Sequence, residues 1–172
     1  MNMDADKWMS ERRDFLKMAA AGAAGALLLP GCSESNSEPA AVPRTTSIIG
    51  LVDVAQALAD NSLDNNLFWV DNNTSLGSLY QGTSHLRTAI RKGELVQWVV
   101  SSLQVETEVN IARIGGAAAQ IANPVPTPVA LGITFWIGRI AANAGGIYQY
   151  DMALKVESRV LTLSTPLTLD VL

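Results

Sequence analysis

Hydrophobic and polar positions along most of this chain alternate with a period of two. The clearest case runs from residue 84 to 101. Leu86, Thr88 and Ile90 alternate with His85, Arg87, Ala89 and Arg91. Arg91-Lys92-Gly93-Glu94 has the composition of a turn. Leu95, Gln97 and Val99 then alternate with Val96, Trp98 and Val100. Successive side chains of a strand point to opposite faces, so this pattern predicts a β-hairpin or β-arch. The same period recurs in Val105, Thr107, Val109 and Ile111 set against Glu106, Glu108, Asn110 and Ala112. It recurs in Ile133, Phe135 and Ile137 against Thr134, Trp136 and Gly138, and in Tyr148, Tyr150, Met152, Leu154 and Val156.

Ile48 to Val54 reads as an opening strand. Leu67-Phe68-Trp69-Val70 reads as a short strand or loop anchor, and residues 159–172 give one or two strands around Pro166. Between them, Gly77 to Gly82 and Asn143-Ala144-Gly145-Gly146 read as turns, and Asn123 to Pro128 as a loop. Residues 115–121 are rich in Gly and Ala. Val54, Ala57 and Leu58 lie at helical spacing, which predicts a short helical turn. Short strands separated by Gly and Pro turns point to an all-β fold. The expectation is a single β-sandwich of about seven or eight mostly antiparallel strands.

The N-terminal region follows a different pattern. Met1 to Ser10 is polar, SERRDFLK carries Arg12 and Arg13, and Met18 to Leu29 is an uncharged run of Ala, Gly and Leu. That run is apolar on all sides, so it has no stripe to bury against a domain. At twelve residues it is also short for a membrane span of about 20. A charged region followed by a short apolar run is the order of a signal sequence. SERRDFLK resembles the twin-arginine signal family at Ser10, Arg12, Arg13, Phe15, Leu16 and Lys17. That resemblance implies handling by the twin-arginine export machinery, a route that carries cargo already folded.

The run ends in Leu29-Pro30-Gly31-Cys32, which resembles a lipoprotein signal at Leu29, Gly31 and Cys32. The resemblance implies lipidation of Cys32, a membrane anchor on the periplasmic side, and, with Ser33 next in line, sorting to the outer membrane. Residues 33–46 are rich in Ser, Glu, Pro and Ala, a composition suited to a flexible tether. The expected organisation is thus residues 1–31 as signal peptide, 32–46 as tether and 47–172 as the β-sandwich domain.

Charge and cysteine count narrow the chemistry. The chain has 172 residues and a net charge of -4. The four bases of the signal region, Lys7, Arg12, Arg13 and Lys17, are balanced by Asp4, Asp6, Glu11 and Asp14, so the exported part keeps that charge. No basic stripe suggests nucleic acid as a partner. Cys32 is the only cysteine and His85 the only histidine.

Gly93-Glu94-Leu95-Val96-Gln97-Trp98 resembles a cupredoxin strand. Copper of that type needs two His and a Cys, which one chain of this composition does not supply to a folded domain. Zinc, which takes three or four His, Cys or carboxylate ligands, is disfavoured for the same reason. Ser84 and His85 are neighbours on a strand and point to opposite faces, so they form no nucleophile–base pair. Asp53, Asp71, Glu106, Glu108 and Asp151 are the scattered carboxylates from which an enzyme would have to be built. No catalytic, metal or cofactor-binding residue is assigned, and no cofactor is expected. Trp69, Trp98 and Trp136 read first as core anchors. Trp69 with Asp71 and Asn72 is the candidate binding rim, because an aromatic beside a polar loop suits a sugar ring or a protein partner.

His85 to Leu103, with its Gly-acidic turn, Trp98 and Ser101, forms one segment of a wider resemblance. Tyr148-Gln149-Tyr150 through Pro166-Leu167-Thr168-Leu169 forms a second, and LVDVAQAL near the start a third. Together, over about residues 47–171, they resemble the AidA/PixA family of inclusion-body proteins. In that family the opening strand carries an acidic residue, here Asp53, and a Gly-Asp turn and Trp fall at Gly93-Glu94 and Trp98. The resemblance implies a β-sandwich without catalytic residues, found in inclusion bodies or made under population-density control by host-associated bacteria. Two departures stand beside it: the signal, and the lack of an aromatic cluster before Pro166. The functional expectation is a non-enzymatic, anchored β-sandwich with a binding, assembly or accessory role, as a homo-oligomer or in a protein complex. The alternatives are an accessory subunit of an exported multi-protein or redox complex, and a carboxylate-dependent enzyme.

Overall fold

A computed structural model describes residues 44–105, 107–129 and 133–172. The signal residues, Cys32 and the start of the tether lie outside these, as does Glu106. The described part is predominantly β.

Five strands form the largest sheet: β1 (Thr45–Val52), β2 (Leu67–Asp71), β4 (Leu95–Ser102), β6 (Val125–Pro128) and β7 (Thr134–Arg139), in the order β2-β1-β4-β7-β6. β3 (Arg87–Ile90), β8 (Gly146–Tyr150) and β11 (Leu167–Val171) make a three-stranded sheet in the order β3-β11-β8. β5 (Val109–Ile114), β9 (Met152–Val156) and β10 (Arg159–Thr162) make another, ordered β10-β9-β5. The expected seven or eight strands are therefore eleven among the described residues. They fall into three hydrogen-bonded sheets rather than the two of a simple sandwich. Most neighbours are antiparallel, but β1 runs parallel to β4, and β11 parallel to β3.

Two helices also depart from a pure all-β chain. The first, α1 (Val54–Asp60), fulfils the predicted helical turn. Asp53 begins it, its Oδ1 accepting from the Gln56 amide at 3.1 Å. Asn61, at φ 50°, closes it in the left-handed conformation, where asparagine is tolerated. A helix this short holds through packing, here the buried Val54 and Ala57. The second, α2 (Gly116–Ala122), buries Ala118 and Ala122, one turn apart, and ends at Asn123 with φ 46°. The carbonyl of Ala122 lies against the Cα of Gly138 on β7, where any side chain would collide with it.

Pairing register sets what faces inward. On β4, Val96, Trp98 and Val100 are buried, as are Ile48 and Val52 on β1 and Leu67 and Trp69 on β2. Gly50 pairs with Trp69, and the indole fills the space a side chain at Gly50 would take. The core is continuous across the sheets. Trp98 Nε1 donates to Tyr150 Oη at 3.1 Å, joining β4 to β8, with the two rings edge-on at 6.0 Å. Trp136 Nε1 donates to the Ile111 carbonyl at 3.2 Å, joining β7 to β5. These are the anchoring roles expected of Trp98 and Trp136.

Candidate functional site

The candidate rim of Trp69, Asp71 and Asn72 divides between core and surface. Trp69 is completely buried, its ring packed over Gly50, so it anchors the core and is not a surface platform. The strand LFWV places Leu67 and Trp69 inward, Phe68 and Val70 outward. Asp71 Oδ1 accepts from the Asn73 amide at 2.9 Å and from Gln81 Nε2 at 2.9 Å, which ties the end of β2 to the following loop.

Asn72 is exposed and acts as a substitute strand partner. Its Oδ1 accepts from the Ser47 amide and its Nδ2 donates to the Thr45 carbonyl. It lines a polar hollow of about 340 Å³ with Arg44, Asn73, Ser75, Arg91 and Glu94 among others. Arg91 lies 3.6 Å from Glu94 within that hollow, so its charge already has a partner. Asn73 is also committed, its Nδ2 donating to Thr46 Oγ1 and to the Ala89 carbonyl.

The other titratable candidates are dispersed. Asp53 Oδ1 caps α1 and accepts from Gln104 Nε2 at 2.8 Å. Gln104 in turn accepts from the Val54 amide, so the carboxylate belongs to a cap. Asp151 pairs with Arg113 at 2.5 Å, and Glu108 with Lys155 at 3.8 Å. His85 is exposed, its ring 5.3 Å from that of Tyr80. Among the described residues, no group of three or more His, Cys, Asp or Glu is placed to hold a metal ion. No described helix is long and apolar enough to cross a membrane. Burial raises the pKa of the Tyr150 phenol well above its ordinary value; the nearby Asp71 charge adds to this, while the bond from Trp98 opposes it. The phenol is a neutral structural partner of the indole.

The outward face of the five-stranded sheet is different in kind. Register places Val70, Ile49 and Val99 in one row across β2, β1 and β4, and Phe68 beside Leu51 in the next. Ile137 and Val125 extend the face on β7 and β6. Ile49 is 40% exposed, Phe68 and Val70 36% each. A solvated sheet face ordinarily alternates to polar residues. Strand alternation alone carried no warning of this face, because apolar residues occupy both parities of β1, β2 and β4. The cue was present in runs such as Ser47-Ile48-Ile49-Gly50-Leu51-Val52, which leave no polar side to the strand.

Residues 44–162 match the profile of the family described as a domain of unknown function, DUF8788. The chain belongs to that family. In this DUF8788 chain, residues 10–28 match the twin-arginine translocation pathway signal, so the protein carries a twin-arginine export signal. Its fold is similar to that of the inclusion body protein PixA from Burkholderia cenocepacia J2315. The TM-score is 0.53 at 13% identity, over 74% of this chain and 92% of that one. The solution structure of amebosin also matches, over 50% of this chain and 88% of that one, at 14% identity and a TM-score of 0.26. No curated protein matches. The PixA likeness fixes the fold as β-rich and PixA-like in architecture.

Proposed function

We propose that this DUF8788 protein is an exported, lipid-anchored β-sandwich-like module that works by binding or assembly and not by catalysis, in the manner of an inclusion-body protein. The observation that carries the reading is the apolar outer face of the five-stranded sheet on a chain with an export signal. A domain that leaves such a face to solvent has the surface of one component of an assembly. The carboxylates support the same reading. Asp53, Asp71, Glu108 and Asp151 sit on separate elements, each held by a capping, turn or ion-pair partner. Among the described residues, no three His, Cys, Asp or Glu side chains gather at one place.

The organisation that fits is a signal over residues 1–31, lipidation at Cys32, a tether, and the folded domain, with anchoring in the outer membrane on its periplasmic side. The folded domain is taken over residues 47–172, and the first described strand, β1, spans Thr45–Val52. The exposed Asn72 and the polar hollow around it remain the proposed rim for a small polar ligand or partner.

Mass spectrometry of the membrane fraction of the producing cell tests the anchoring. The expected product begins at Cys32 and carries acyl chains. A protein recovered only from the soluble fraction, with an unmodified N-terminus, refutes it.

A further inference from the structure

The two smaller sheets set their exposed apolar residues, Ile147 and Val160, beside charged ones, Asp170 and Lys155, whereas the five-stranded sheet groups its own together. On the sheet of β3, β11 and β8, Arg87 pairs with Asp170, with Thr168 and Gln149 beside them. On the sheet of β5, β9 and β10, Lys155 pairs with Glu108. The outward positions of the five-stranded sheet carry one charge, Arg139, at a corner opposite Leu95. Its guanidinium donates to the Gly93 carbonyl at 2.8 Å.

Two polar side chains at the centre of this face bond each other. Gln97 Nε2 donates to Ser47 Oγ at 2.8 Å across β4 and β1. Covering the face therefore strands no central charge and leaves this pair its bond, the two terms that usually oppose burial.

Both edges of the sheet are closed to strand addition. Along β2, the Trp69 main-chain amide donates to the Thr83 carbonyl at 3.0 Å and the Trp69 carbonyl accepts from the Gly82 amide at 2.7 Å. Along β6, Pro126 and Pro128 have no N–H to offer. A partner of this sheet meets it face-on.

We infer that the outer face of β2-β1-β4-β7-β6 is a homodimer interface, packed against the same face of a second copy of this chain. This rests on the assembly reading above. Five strands about 4.8 Å apart, averaging about three outward residues about 6.8 Å apart, span on the order of 500 Å² in projection. With side-chain relief that is on the order of 700 Å² of accessible surface per partner, close to the ~800 Å² of a standard interface. A nearly uncharged face offers nothing to select a charged partner. It is self-complementary, as a two-fold contact requires, and two sheets stack at about 10 Å. Tethering at one membrane surface would raise the local concentration of copies.

The test uses the full chain with Arg12→Lys and Arg13→Lys, which keeps it in the cytoplasm with its N-terminus whole. Sedimentation velocity over a hundredfold range of concentration is expected to give a dimer. Ile49→Lys and, separately, Val70→Lys on the edge strand are each expected to weaken it at least tenfold. Gln149→Lys on a polar outer face leaves it unchanged. Far-ultraviolet circular dichroism confirms that each variant is folded, and Val70→Lys keeps the test decisive where Ile49→Lys disturbs the central strand. A monomer throughout overturns the inference. So does a dimer indifferent to both face substitutions, which would place the contact elsewhere, the N-terminal segment included. So does co-sedimentation with phosphatidylcholine–phosphatidylglycerol vesicles that the same substitutions abolish in a protein that is otherwise monomeric. Anchoring is read separately from the mass of the N-terminus, so loss of the lipid reading leaves this outcome interpretable.

Discussion

Gly50→Ala is a minimal change with a large expected effect. A Cβ at Gly50 would lie 2.6–2.9 Å from three carbons of the six-membered ring of Trp69. Ordinary carbon contacts are about 3.5–4.0 Å, so ring or strand must move by about 1 Å. Neither moves freely. Trp69 is completely buried, and Gly50 is paired on both sides, to Trp69 on β2 and to Val100 on β4. Overpacking of this kind costs about 1–3 kcal/mol. Replacing Gly by Ala stabilises by about 0.4–1 kcal/mol through the unfolded chain, so the net loss is about 1–2 kcal/mol. For a domain of this size that lowers Tm by about 4–8 °C.

The decisive experiment is a double-mutant cycle in urea, read by circular dichroism. Trp69→Phe removes much of the ring that collides, and it also removes an indole N–H that is buried without a partner. In the Trp69→Phe background, Gly50→Ala is expected to cost less than about 0.5 kcal/mol, giving a coupling of about 1 kcal/mol or more. Equal costs of Gly50→Ala in both backgrounds would refute the claim that Gly50 exists to seat Trp69.

Two further outcomes follow from single side chains. Asp53→Ala removes both the cap of α1 and the acceptor for Gln104, and is expected to destabilise the domain by about 1–2 kcal/mol, measured by urea denaturation. Tyr150 keeps its proton in the folded state beyond the pH at which an unfolded tyrosine loses it. The folded state then binds more protons than the unfolded one, so this group's stability is full below about pH 10 and falls as pH rises above it, approaching about 1.4 kcal/mol per pH unit. Urea midpoints at pH 9 and pH 11 measure the fall. Tyr150→Phe is expected to flatten it while lowering stability at pH 9 through loss of the bond from Trp98, and an equally steep fall in Tyr150→Phe would refute the assignment.

Much of the strand content was legible from β-branched and aromatic runs bounded by turn residues, as in Leu95 to Val100 after Gly93-Glu94, although which side of β4 is buried was not. Longer alternations overstate the strands. Val105 continues the parity of Val109 yet lies outside the strand, 89% exposed. Tyr148 to Val156 reads as one strand but splits at Asp151 to serve two sheets. Residues 125–128 read as a loop because of their prolines, and pair as an edge strand, where a missing N–H is tolerated. The helix over 116–122 was hidden by its small residues. Its only marks were Ala118 and Ala122 one turn apart and Asn123 at its end.

That Trp69 lies in the core was hidden for a related reason. Four consecutive apolar residues conceal which parity is inward, and the partner that settles it, Gly50, lies on another strand. The parallel pairings of β1 with β4 and β3 with β11 depend on contacts far apart in sequence, which periodicity does not encode.

The place of β11 bears on timing. It is the middle strand of its sheet, parallel to β3 and antiparallel to β8, so that sheet has no centre until residues 167–171 have left the ribosome. The signal at residues 10–28 emerges long before them. At roughly 10 residues per second, more than ten seconds separate a visible signal from a closable sheet. An export route that takes folded cargo must therefore wait on this chain, with the signal on display while its passenger is still incomplete. A variant that loosens β11 would be expected to lengthen that wait without altering the signal.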